Sequence, residues 1–116
     1  MALKCAALAD DKKGDNIRVL DVREVSGLTD YFVMVSGNSD PHVRAVAEEI
    51  ERGLREEHSE KPHQVEKASQ SWIVLDFFDV IVHVMREDLR EKYDLEGLWG
   101  DAKKVPFEPA GNPAAS

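Results

Sequence analysis

The sequence predicts one α/β (α+β) domain in which a mixed β-sheet is flanked by helices. Two apolar, β-branched runs, residues 72–75 and 80–85, lie on either side of a short acidic and aromatic break, which is typical of a β-hairpin. The second run is mostly apolar at both odd and even positions, which indicates a central strand covered on each face. A helix between the second and third predicted strands implies a crossover, so the sheet should contain a parallel pair.

The predicted order of elements is helix, two strands, helix, three strands and helix. Residues 2–8 are rich in Ala and Leu and form the first helix, and Gly14 stops it. Residues 17–22 and 31–35 then form the first two strands.

The second helix has the clearest periodicity in the chain. Its apolar positions recur at helical spacing and are Val43, Val46, Ala47, Ile50 and Leu54. Asp40 and Pro41 provide a cap and a first helical position. Residues 56–62 end the helix. Because the apolar positions form one stripe, that face should pack on the sheet and the other should face water.

The remaining elements are shorter. Val65 marks a weak third strand, which a polar connection over residues 67–71 joins to the hairpin. A helix carrying Leu89, Tyr93 and Leu95 follows the hairpin. Residues 106–116 contain Pro, Ala and Gly with little to bury, so we expect a domain of residues 1–105 and a disordered tail.

The charge balance restricts the possible partners. The 116 residues include 15 Lys and Arg against 23 Asp and Glu, a formal net charge of −8. Binding to nucleic acid depends on cationic contacts, so we expect no direct DNA binding and favour a basic protein surface as partner. No apolar stretch is long enough for a membrane span or an export signal, so the sequence predicts a soluble, cytoplasmic protein without a membrane partner.

The sequence offers no metal or cofactor site. Cys5 is the only cysteine, and the four histidines are scattered without zinc-site spacing. Cys5 itself, on a helix of Ala and Leu, is most simply a small buried side chain. We therefore predict no metal, no cofactor and no catalytic residue.

Three other features of the sequence could support chemistry. Asp76 and Asp79 could hold a cation or act as acid and base, but Asp is a common turn residue and no third ligand is evident. Residues 36–40 precede a helix and could bind phosphate, yet they lack a full glycine-rich signature, which favours a simple cap. His83 could serve as a base, but it is more simply a histidine satisfied by one hydrogen bond.

The aromatic pair in the hairpin break is harder to explain as a turn. A tight turn normally contains Gly, Asn or Asp, whereas this one contains Phe77 and Phe78. An exposed aromatic corner flanked by acids resembles a protein-binding hot spot.

Four collinear segments resemble the Iojap family, the ribosomal silencing factors. They are residues 30–39, 72–76, 79–84 and 93–102, within a similarity that covers about residues 3 to 105. The resemblance implies a nucleotidyltransferase-like fold without the catalytic residues of those enzymes, and so a protein that is not an enzyme.

The resemblance also implies a function. Family members are translational repressors that bind the large ribosomal subunit through its fourteenth protein (uL14), block joining of the small subunit when nutrients are scarce, and often form homodimers when free. Two alternatives remain open: a large-subunit assembly factor, and a nucleotide-binding enzyme that kept the activity of its ancestral fold.

Motif and chemistry together predict a partner-binding surface on the hairpin. Its residues are Trp72, Leu75, Asp76, Phe77, Phe78 and Asp79. The family usually has Gly at position 78, where the turn favours a positive φ. Phe78 would be strained there, so either the turn is of another type or Phe78 points outward and enlarges the contact.

Overall fold

The computed structural model describes residues 1–25, 27, 29–62, 64–94, 97 and 102–107. Three helices and six strands have their bounds within these described residues. They are α1 (Ala2–Asp11), β1 (Asp15–Asp21), β2 (Tyr31–Gly37), α2 (Asp40–His58), β3 (Gln64–Ser69), β4 (Trp72–Asp76), β5 (Val80–Arg86), α3 (Glu87–Tyr93) and β6 (Lys103–Val105).

The six strands form one mixed sheet in the order β3-β4-β5-β2-β1-β6. The central pair, β2 and β5, is parallel over seven residue pairs, and the other neighbours are antiparallel. Because α2 lies between these two strands in the chain, it supplies part of the crossover that a parallel pair requires. The predictions of a mixed sheet, of the hairpin and of a central β5 are confirmed.

Helices α1 and α2 cover one face of the sheet, which we call the helix-covered face. The apolar stripe predicted for α2 is buried there, with every member at most 3 % exposed. Val19, Val33, Val82 and Leu75 are paired across successive strands and form one row of this face. Burial of each Val, Leu or Ile contributes about 1.5–3 kcal/mol relative to exposure, so this layer dominates the stability of the domain.

The opposite face, which we call the open face, is covered less completely. Leu20, Phe32, Met34 and Val22 form a second, smaller apolar cluster on it. Helix α3 contacts β5 and β2 at one end of this face. Its buried Arg90 donates hydrogen bonds to the Asn16 carbonyl and, at 3.0 Å, to the Ser36 hydroxyl, which ties the helix to β1 and β2.

The structure differs from the sequence prediction at three places. The sequence does not predict strand β6, because three residues are too few to show the alternation of apolar and polar positions that marks a strand. Strand β3 continues to Ser69, into the segment predicted as a polar connection, since backbone pairing with β4 supports a strand whose side chains are all exposed. Helix α2 begins one residue early, with Ser39 as its cap and Asp40 already helical.

The chain after α3 is described only in part. Leu95, predicted on the last helix, and the predicted tail beyond residue 107 lie outside the described residues. Phe107 belongs to the predicted tail of residues 106–116 but is half-buried. It packs against the apolar core between the sheet and helices α1 and α2. No helix among the described residues is long and apolar enough to cross a membrane.

We predict that Gly37→Ala destabilises the domain. Gly37 ends β2 against the first turn of α2, and an added Cβ would lie 2.8 Å from Val43 Cγ2 and 3.1 Å from the Val43 backbone nitrogen. Backbone cannot give way cheaply, so the free energy of unfolding should fall by about 1–3 kcal/mol in urea titrations. Gly27→Ala is the control, because an added Cβ there meets no described atom within 4 Å. Equal stability of the two variants would contradict the prediction.

Candidate protein-binding surface

The corner between β4 and β5 is held by backbone hydrogen bonds. The Phe77 N–H donates to the Val80 carbonyl at 2.9 Å, and the Asp79 N–H donates to the Phe77 carbonyl at 2.9 Å. The Asp79 carbonyl accepts from the N–H groups of Asp30 and Tyr31 at 3.1 and 3.0 Å. The corner is therefore fixed to the start of central strand β2 and is not a free hairpin tip.

Phe78 has left-handed backbone and an outward-pointing side chain. Its φ is 71°, and 62 % of the residue is exposed. A non-glycine residue in this conformation costs about 1–2 kcal/mol. The Asp76 carboxylate accepts the Phe78 N–H at 2.8 Å, which helps to hold the turn. Of the two possibilities stated for Phe78, the outward-pointing one is confirmed.

Leu75 and Phe77 lie in the core instead of on the surface. They are 0 % and 4 % exposed, because odd-numbered positions of this segment point to the helix-covered face. The expectation of an exposed aromatic pair is therefore correct for Phe78 and wrong for Phe77. Among the corner residues predicted to contact a partner, Phe78 and Asp79 are exposed and Asp76 is half-buried.

Trp72 belongs to a row of aromatic rings across the open face. Its ring centroid lies 5.5 Å from that of Tyr93 and 5.9 Å from that of His83, and the His83 centroid lies 5.8 Å from that of Phe32. Such pairs contribute about 0.5–1.5 kcal/mol each beyond their buried area. The row begins at Tyr93, which is 49 % exposed, and ends at the buried Phe32 on central strand β2.

His83 is a hydrogen-bonded structural residue. The Trp72 indole N–H donates to His83 Nδ1 at 3.1 Å, so this nitrogen must be unprotonated. Burial lowers the pKa of His83 to about 4. The interpretation of His83 as a histidine satisfied by one hydrogen bond is confirmed.

A groove of about 400 Å³ lies beside this row on the open face. Phe32, Val74 and Ile81 contribute to its floor, and the carboxylates of Glu66 and Asp76 lie on its rim. Sequence reasoning did not assign these residues to the site, apart from Asp76. Strand alternation was the available signal, since Val74 shares the face of Trp72 once β4 is accepted as a strand.

The start of α2 is occupied by the protein's own groups. The Ser39 hydroxyl accepts the His42 N–H at 3.2 Å, which is a side-chain cap. The Asp40 carboxylate, in the first turn, accepts from the Ser71 hydroxyl and, at 3.2 Å, from Arg86 Nη1. The cap interpretation of this loop is confirmed, and an acidic side chain already lies where a bound anion would be stabilised.

The other chemical candidates are explained structurally. Asp76 is a turn residue bonded to the backbone of the corner. Cys5 is fully buried, and burial raises the pKa of its thiol to about 12, which keeps it protonated. The described residues contain no group of three or more His, Cys, Asp or Glu side chains arranged to hold a metal ion.

These features define a small α/β domain with an aromatic and acidic surface at one sheet corner. The whole chain, residues 1–116, matches the family model described as ribosomal silencing factor during starvation. The chain therefore belongs to the ribosomal silencing factor family, as the sequence motifs predicted.

Relatives and solved structures agree with this assignment. The chain is 43 % identical to the ribosomal silencing factor of Bacillus subtilis over 105 residues, which cover 86 % of each chain. It is 32 % identical over 114 residues to the chloroplastic Iojap protein of Arabidopsis thaliana, covering 97 % of this chain and 48 % of that one. A crystal structure from Chromobacterium violaceum has a TM-score of 0.78 at 30 % identity, covering 98 % of this chain and 96 % of that chain.

We predict that Phe78→Gly is more stable than Phe78→Ala. Both variants lose the ring, but only Gly adopts the observed φ without steric cost. The left-handed cost exceeds the extra freedom of Gly in the unfolded chain, so the free energies of unfolding should differ by about 0.5–1 kcal/mol. Urea denaturation measures the difference, and a less stable Gly variant would show that the corner is not strained.

We predict that His83 makes stability depend on pH between about 6.5 and 4. Its ordinary pKa near 6.5 applies to the unfolded chain, whereas the folded value is about 4. The unfolded state thus binds the proton first as pH falls. Up to about 3 kcal/mol of stability, fully present above pH 6.5, should be lost by pH 4. In His83→Gln the loss over this range should be smaller, and equal losses in urea titrations would refute the prediction.

Proposed function

We propose that the chain is a translational repressor that binds the large ribosomal subunit through uL14 and blocks joining of the small subunit, especially under nutrient limitation. Membership of the ribosomal silencing factor family supports this proposal. The family model carries starvation in its description, and that is the condition in which repression would be useful.

One observation carries the assignment of the binding surface. Phe78 is 62 % exposed on a strained backbone, and Asp76 and Asp79 precede and follow it in the chain. Strained residues persist where the surrounding structure fixes them, and they are concentrated at functional sites. An exposed aromatic anchor beside charged groups is the usual composition of an interface hot spot.

The charge of the chain fits a basic partner. A net charge of −8 attracts a basic ribosomal protein and orients the approach of the acidic corner. Trp72 lies on the same face as Asp76, four residues earlier in β4, and extends the contact from the corner toward the groove. Leu75 and Phe77 contribute from the core, by supporting the corner from beneath.

In this proposal the chain performs no catalysis and needs no nucleotide. The start of α2, where a nucleotide phosphate would be expected in the ancestral fold, is filled by Ser39 and Asp40. We propose further that the protein acts in the cytoplasm and pairs with a second copy when it is free, which its mass in solution would test.

We predict that the purified chain co-sediments with large but not small subunits, without added ATP or Mg²⁺-nucleotide, and reduces the formation of joined ribosomes. Asp76→Lys should weaken this binding at least tenfold, because it reverses a charge at the centre of the proposed contact. Asp76→Asn keeps the acceptor for the Phe78 N–H and should weaken binding less.

The control variant is Asp11→Lys, which makes the same charge change at the exposed end of α1. It should bind as the unmodified chain does. If no large-subunit binding occurs, the proposed function fails. If Asp76→Lys binds normally while folded, Asp76 does not belong to the contact.

A further inference from the structure

The groove on the open face combines an apolar floor with two carboxylates. The floor contains Val74 and Ile81, and Trp72 lies at one end. Its volume of about 400 Å³ falls within the range of sites that hold small ligands, which begins near 300 Å³. A ligand must therefore offer both an apolar stem and a group that carboxylates attract.

Strand register places the two carboxylates together. Glu66 of β3 is paired with Val74 of β4, and Asp76 is two residues further along β4 on the same face. Diagonal neighbours of this kind have backbones roughly 7–8 Å apart. The side chains of Glu66 and Asp76 can therefore approach one cation from two sides.

Neither carboxylate is neutralised by a cation within the described part of the chain. No ion pair involves Glu66 or Asp76 among the described residues. One Asp76 oxygen accepts the Phe78 N–H, which leaves the other available to a ligand. His83, which lines the groove, accepts a hydrogen bond from Trp72 and contributes no positive charge at neutral pH.

The chemistry of the groove selects among side chains. An apolar side chain would strip water from two carboxylates without replacing it, which costs free energy. A carboxylate or phosphate would be repelled. The guanidinium group of arginine has donors on several edges and stacks on aromatic rings, whereas the ammonium group of lysine is strongly hydrated and does not stack in this way.

We infer that this groove receives an arginine side chain of the partner protein, with its aliphatic stem over Val74 and Ile81, its guanidinium between Glu66 and Asp76, and Trp72 beside it. The inference rests on the proposed function for the identity of the partner. It adds Glu66, on β3, to the contact surface and gives the chemical class of the group that is recognised.

The first test is a titration of the ¹⁵N-labelled full-length chain with the peptide acetyl-Gly-Arg-Gly-amide. Saturable shifts are expected at the Trp72 indole N–H and at the Val74 and Ile81 amides. The same peptide with citrulline, which has the shape of arginine without its charge, should bind at least tenfold more weakly. Equal binding of both peptides, shifts centred elsewhere, or no saturable shift would overturn the inference.

The second test uses variants with large ribosomal subunits. Glu66→Gln combined with Asp76→Asn should lower the affinities for both the arginine peptide and the subunit at least tenfold, whereas the control Glu60→Gln, exposed and outside the groove, should change neither. If subunits bind the chain and the double variant equally, the inference fails and the proposed function stands. If the arginine peptide binds in the groove but subunits do not bind the chain, the proposed function fails alone.

Discussion

The parallel pairing of β2 with β5 is the constraint on which the rest of the structure depends. Seven consecutive residue pairs, from Tyr31 with Val80 to Gly37 with Arg86, join the two strands at the centre of the sheet. Parallel strands cannot be connected by a tight turn, so the chain passes through α2, β3 and β4 before it returns. That return ends at the β4–β5 corner, which is why the corner lies against the start of β2 and bonds to its first N–H groups.

Strand alternation then gives each segment of the hairpin two roles. Leu75 and Phe77 point into the layer beneath α1 and α2, while Asp76 and Phe78 point away from it. The same alternation separates Val82, in the core, from His83, in the aromatic row. A stable core and a chemically distinctive surface therefore come from neighbouring residues of the same strands.

The corner also shows how a strained residue is retained. The hydrogen bonds of Phe77, Asp79 and the Asp76 carboxylate fix the backbone on both sides of Phe78. Because these bonds leave the backbone little freedom, Phe78 remains left-handed although the conformation is costly for a residue with a side chain. The 62 % exposure of Phe78 shows that this strained position places an aromatic residue at the surface of the corner.

The sequence by itself determined the order of the main elements, the hairpin, the central strand and the family. Those features depend on local propensity and on the period of apolar residues, as in the stripe of α2. It did not determine strand β6, the length of β3 or the burial of Phe77, because backbone pairing and the face that a turn residue occupies are set by distant neighbours. The groove between Glu66 and Asp76 was likewise decided only by the tertiary structure, since strand register brings together side chains ten residues apart in the chain.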